Sequence, residues 1–270
     1  MVSGAALHRV FRGLETVGVA HLHTALGCTD RLQFPRAWRR RPVSEWTMES
    51  DDVLLRYIFR HFRPNRHLEF GTWEGDGVLR CLEECDATVW TVNLLEGETK
   101  DDGAWAYGSE ERLVGAVSGR RERLVTSATT WVRTDAYGLI GHKYLARNLG
   151  HRVCQIYCDS RTWDTTHYPP GFFDTAFIDG GHVADVVHSD SWKAIALVRA
   201  GGLVMWHDFA PRSDARDSSV TAAQVTNQLL VDWSSISECF DRLFWIEPSW
   251  LLVGVRNAGA GVEAASLTVR

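Results

Sequence analysis

The 270-residue sequence predicts a doubly wound α/β fold, a mostly parallel sheet with helices on both faces. Three observations carry this. Residues 67–82 run from a short apolar lead with Leu68 and Phe70, through the glycines Gly71, Gly75 and Gly77, into Val78, Leu79 and Leu82. That is the pattern of strand, tight turn and helix. Almost wholly apolar strands then alternate with helical periodicity, as in a parallel sheet buried on both sides. Acids, histidines and an amide gather where those strands end, which is where open α/β sheets bind ligands.

In chain order, residues 6–26 place Leu7, Val10, Phe11, Leu14, Val17, Leu22 and Leu26 at roughly helical spacing, with Gly27 as a stop. This predicts an N-terminal helical extension over residues 1–48 whose apolar stripe packs on its own domain, covers a site or joins two subunits. A homo-oligomer is the expected assembly. A second helix is expected from Ser50, with Asp51 and Asp52 in its first turn and Val53, Leu54, Tyr57, Ile58 and Phe62 on one side, ending at Pro64. Strands are expected at 67–70, 88–93, 152–159, 173–179 and 203–208, ending on Glu69, Asn93, Asp159, Asp179 and the pair His207 and Asp208. A helix over 183–198 is expected to stop at Gly201 and Gly202, and another to start near Ser219. The runs 242–247 and 250–255, joined through Pro248 and Ser249, read as an antiparallel hairpin that completes a seven-stranded sheet. The main domain is thus 49–256. Within it, residues 94–150 are too long for an idle connection and read as a lid or recognition insertion; residues 257–270 read as a mobile tail.

Composition narrows the function classes. With 45% hydrophobic and 23% charged residues, the chain matches ordinary soluble domains. A net charge of −5 argues against a nucleic-acid binder, and the cluster Arg36, Arg39, Arg40 and Arg41 reads as solvated surface. No apolar run reaches membrane-spanning length and no secretory signal is evident, so a cytoplasmic location is expected. The six cysteines form no CxxC and read as free thiols. Trp73, Trp163 and Trp206 stand beside the strand-end motifs and serve either a pocket or the core.

The ordered set Glu69-Phe70-Gly71-Thr72-Trp73-Glu74-Gly75, Val92-Asn93-Leu94, Asp159-Ser160, Ile178-Asp179-Gly180-Gly181-His182 and Trp206-His207-Asp208 resembles the class I S-adenosylmethionine (SAM)-dependent methyltransferases. The resemblance covers about residues 50–255 and implies a Rossmann-like sheet. More narrowly, it is similar to the metal-dependent O-methyltransferases that act on sugars of macrolides and related natural products. It implies SAM as cofactor, in a pocket formed by Glu69, Gly71, Thr72, Gly75 and Asp179, with Asn93 at the ribose, helped by Glu96, and Asp159 and Ser160 near the adenine. It further implies a divalent cation, Mg²⁺ or Mn²⁺, on Asp179, His207 and Asp208. His207 stands where an acid is commoner, so it either ligates or lies behind the ligands. His182 is the implied general base, with His142 and Lys143 in reserve. The implied acceptor is a hydroxyl of a saccharide or glycosylated natural product. A catechol or protein acceptor, a cephalosporin-hydroxylase-type protein and a nicotinamide-dependent oxidoreductase are the alternatives, the last lacking its GxGxxG turn near the start of the chain.

Overall fold

A computed structural model describes residues 10–33, 48–94, 140–212 and 219–258. Its strands are β1 (Glu15–Gly18), β2 (Arg66–Phe70), β3 (Thr88–Asn93), β4 (Val153–Tyr157), β5 (Phe173–Ile178), β6 (Val198–Trp206), β7 (Phe240–Glu247) and β8 (Leu252–Arg256). They form one sheet in the order β1-β7-β8-β6-β5-β2-β3-β4. Strand β8 runs antiparallel to β6 and β7, and every other neighbouring pair is parallel. From β2 the chain winds outward to β3 and β4, then returns to β5 on the other side of β2. A crevice therefore opens at the carboxyl ends of β2 and β5, where the winding reverses.

The helices are α1 (Leu22–Ala25), α2 (Met48–Phe62), α3 (Asp76–Glu84), α4 (His142–Ala146), α5 (Ala184–Leu197) and α6 (Val220–Ser237). Alternation along the strands sorts them into two layers. Leu68, Phe70, Ala176, Ile178, Val204 and Trp206 pack with Val187, Ile195, Leu229 and Trp233 from α5 and α6. Val89, Phe177, Met205 and Phe244 pack on the other side with Leu54, Ile58, Val78 and Cys81 from α2 and α3. All six residues of β5 are buried, as a central parallel strand requires. The six cysteines are free thiols.

Two elements differ from the sequence expectation. The described part of the N-terminal extension is no long helix. Gly13, at φ +81°, interrupts it, and β1 follows, pairing parallel with β7 from Glu15 and Phe244 to Gly18 and Glu247. Among the described residues the sheet accordingly has eight strands. Phe11 is buried by its edge contact with Trp233, whose Nε1 donates to the Arg12 carbonyl at 2.9 Å. At the other difference, α5 ends at Leu197 and the chain enters β6 at once, so Gly201 and Gly202 lie inside the strand. Register shifts there because the strand closes on Asp174: a Cβ on Gly202 would stand 2.5 Å from the Asp174 carbonyl oxygen. The arginine cluster, Glu96, most of the expected insertion and nearly all of the expected tail lie outside the described residues. Among the described residues, no helix is long and apolar enough to cross a membrane.

Candidate active site

Two glycines make the turn after β2 and a third lies in the first turn of α3, and the chain's own packing accounts for each. Gly71, at φ +95°, lies against the turn after β5: a Cβ there would stand 2.2 Å from the Asp179 carbonyl oxygen. Gly75, at φ +92°, precedes α3 and abuts Tyr144 and Gly141. Gly77 rests on the Glu69 carboxyl, whose oxygens lie 2.4–2.7 Å from where its Cβ would be. Glu69 therefore underlies the turn instead of facing the crevice. It is buried and accepts the Val78 N–H. Burial, and then the nearby Asp179 charge, push its pKa well above the ordinary carboxylate range.

The other expected cofactor residues divide. Thr72 points inward, its Oγ1 2.7 Å from that of Thr91 and accepting from Gln155 Nε2 at 2.9 Å. The Asn93 amide is engaged at both ends: Oδ1 accepts the Trp73 N–H at 3.0 Å and Nδ2 donates to the Leu94 carbonyl at 2.8 Å. It thus holds Trp73 in a left-handed conformation, φ +42°. Asp159 is occupied by Arg161, through the backbone N–H at 2.9 Å and the guanidinium at 2.6–3.1 Å. Those hydrogen bonds outweigh burial and lower its pKa. Ser160 stays partly exposed. Lys143, expected as a reserve base, is ion-paired with Glu74 at 2.9 Å and Asp76 at 2.5 Å. Burial works against its charge, but the two acids outweigh it and raise its pKa, so it is an ammonium without a lone pair to offer. His142 starts α4 beside it.

At the carboxyl ends of β5 and β6, Asp179, His182 and Asp208 each bring a ligand atom within 4.8 Å of the others. His182 Nε2 lies 2.8 Å from Asp208 Oδ2. Asp208 has φ +55°, a conformation that aspartate adopts more readily than most residues. His207 is buried behind this group. Its Nε2 meets Asp51 Oδ2 of α2 at 3.1 Å, while Nδ1 faces Asp179 Oδ1 at 3.4 Å and Asp208 Oδ2 at 3.5 Å. Burial alone would depress its pKa, but the Asp179 charge and the contacts to Asp179, Asp208 and Asp51 hold it well above the usual histidine value. Nδ1 makes no hydrogen bond among the described residues and meets the two acids only at ion-pair distance. His207 stands buried behind the acids, and the group of ligand atoms within 4.8 Å contains His182 beside Asp179 and Asp208. Asp208 is held below its ordinary range: burial raises it, and the contacts to His182 and His207 more than reverse this. Asp51 was missed in the sequence as a site residue.

A family model described as a methyltransferase domain matches residues 68–209, more than half of the chain and every residue from the glycine turn to Asp208. The chain belongs to this methyltransferase family. With the strand order above, it is a class I SAM-dependent methyltransferase. No curated relative matches it in sequence. Among solved structures, this methyltransferase is similar to TomG, an O-methyltransferase of Streptomyces achromogenes involved in tomaymycin synthesis, in complex with SAM, at 13% identity and TM-score 0.46 over 88% of this chain and 87% of that one. It is also similar to a Bacillus cereus O-methyltransferase in complex with SAH, at 12% identity and TM-score 0.45, covering 88% and 89%. A third is the SAH-bound Podospora anserina methyltransferase PaMTH1, at 14% identity and TM-score 0.46, covering 94% and 92%.

Because Gly71 joins the turns after β2 and β5, the methyltransferase should tolerate no side chain there. Gly71→Ala is expected to destabilise by about 1–3 kcal/mol through overpacking and a disfavoured φ. Urea unfolding checks this, and an unchanged midpoint would show that the two turns separate freely.

Proposed function

We propose that this methyltransferase carries out O-methylation, with SAM as donor and a hydroxyl of a saccharide or small natural product as acceptor, and that His182 takes the hydroxyl proton beside a divalent cation held by Asp179 and Asp208. The single observation that carries the reading is the 2.8 Å contact of His182 and Asp208 within the Asp179 cluster. A mixed oxygen and nitrogen donor set of this kind fits Mg²⁺ or Mn²⁺. His207 supports the fit, since its buried positive charge lets two carboxylates stand side by side before any cation arrives.

Methyl transfer from a sulfonium is an in-line displacement: the C–O bond forms as the C–S bond breaks, and the hydroxyl loses a proton. Positioning supplies much of the rate. Asp208 fixes His182 through Nε2–H, which leaves Nδ1 with the lone pair that accepts the proton. A bound cation supplies one further effect, lowering the pKa of a hydroxyl it coordinates. A vicinal diol offers two neighbouring oxygens to such a site, which favours a sugar acceptor. The partly exposed turn of Asp159 and Ser160 at the end of β4 suits the adenine.

The three-residue cluster also favours a second reading, in which His182 is itself a metal ligand. Calorimetric titration with Mn²⁺ separates the two. Asp179→Asn should weaken Mn²⁺ binding at least tenfold, whereas His182→Ala should leave it within about threefold if His182 is the base. A tenfold loss in His182→Ala would assign His182 to the metal. Unchanged Mn²⁺ binding in Asp179→Asn would remove the cation from the mechanism.

A further inference from the structure

Helix α3 ends on two thiols. Cys81 lies in its final turns, and Cys85 caps it, with its N–H on the Cys81 carbonyl at 3.1 Å. Their Sγ atoms stand 3.8 Å apart, and Cys85 Sγ also lies 3.3 Å from the Cys81 carbonyl oxygen. The two differ in access: Cys81 is 0% exposed, whereas Cys85 keeps 6%, beside the exposed Asp86. A cation covers the same helix end. The Arg152 guanidinium donates to the carbonyls of Leu82 at 3.0 Å, of Ala87 at 3.0 and 3.1 Å, and of Cys85. The Cys81 hydrogen bond, then the Ala87 N–H and the charges of Arg152 and Arg63, outweigh burial and bring the Cys85 thiol down to about 7. Burial, and then the contact to Cys85, push Cys81 well above the usual thiol value. Near neutral pH one sulfur of the pair is therefore available as a thiolate, and its neighbour keeps its proton.

We propose that Cys81 and Cys85 form a modification site for hydroperoxides, in which Cys85 reacts with the peroxide and Cys81 closes a disulfide. The Cys85 thiolate attacks one peroxide oxygen: an S–O bond forms, the O–O bond breaks, and hydroxide leaves. Cys81 then attacks the sulfenic sulfur; the S–S bond forms as the S–O bond breaks, and the Cys81 proton leaves with that oxygen as water. Two thiols are oxidised and one peroxide is reduced. The helical rise over four residues sets the two Cα atoms about 6.2 Å apart, inside the roughly 4.4–6.8 Å span of disulfides. Cys85 has left helical geometry, at φ −152° and ψ 171°, so its Cβ departs from the direction that holds i and i+4 Cβ atoms about 5–6 Å apart within a helix.

The test exposes the folded full chain to hydrogen peroxide, alkylates the remaining thiols and maps all six cysteines by peptide mass spectrometry. Trypsin releases both residues in one peptide, 81–100. That peptide should lose two hydrogens about tenfold or more faster than the peptides of Cys28, Cys154, Cys158 and Cys239 are oxidised. Exposure alone would give another order, since Cys28, Cys154 and Cys158 are less buried than either member of the pair. In Cys81→Ala, Cys85 should stop at the sulfenic acid and be labelled by dimedone. In Cys85→Ala, Cys81 should remain open to alkylation after unfolding. Whatever the variants do, three results with wild type overturn the proposal: no oxidation of the pair, earlier oxidation of another cysteine, or passage of Cys85 to sulfinic acid without a disulfide. An undiminished preference in urea overturns it as well, because nearness in sequence and not the fold would then join the two sulfurs.

Discussion

His182→Ala should lower kcat by about 10²–10⁴-fold while leaving SAH affinity and melting temperature close to wild type. The side chain is partly exposed, at 28%, and its single close partner among the described residues is Asp208, so little of the fold depends on it. Its loss removes the group that receives the hydroxyl proton, and an aliphatic hydroxyl then attacks without a base. Exogenous imidazole should restore part of the rate, a response that a purely structural histidine would not give. Asp208→Asn should act in the same direction, because an amide can donate to Nε2 and turn the ring into the wrong tautomer. Single-turnover rates with a diol-bearing acceptor are the measurement. A His182→Ala rate within about twofold of wild type would exclude His182 as the base.

His207→Leu should destabilise the protein by about 3–5 kcal/mol, the cost of breaking a buried ion pair from one side. The substitution leaves Asp51, Asp179 and Asp208 crowded together without their cation. The effect should depend on pH in a definite sense. The folded pKa of His207 is raised, so its stabilisation is complete below its unfolded value of about 6.5 and is lost as pH rises through the raised value. The folded pKa of Asp208 is lowered, so its share is complete above about 3.9 and is lost as pH falls through the lowered value. The gap between wild type and His207→Leu should therefore be widest between about pH 4 and 6.5 and should narrow on the alkaline side. Urea unfolding in chelator at several pH values checks this, and a gap that did not change with pH would show that His207 is uncharged in the folded state.

The strands around the crevice were legible because each is a nearly continuous apolar run ending on a polar residue, and β3 falls on the expected residues 88–93. Strand β1 was not legible. It has only four residues, and its neighbours Phe11, Leu14 and Leu22 imitate a helical stripe although they are buried in two different cores. The site was half legible. Asp179 and Asp208 were visible as acids after strand ends, the resemblance assigned them and His182 their roles, and the structure brings the three together. The role of His207 was hidden because it is set by Asp51, 156 residues away and read only as a helix-start charge.

The pairing of β1 with β7 also bears on how the chain reaches this fold. Glu15 aligns with Phe244, so β1 finds its partner only after every residue between the two strands has been synthesised. The central strands can assemble around β2 and β5 in the meantime, but Phe11 and Leu14 wait for α6 and β7 before they are covered. Closing a loop of that length is entropically slow to reward. An edge strand paired across such a distance in sequence joins a sheet whose central strands have nearer partners.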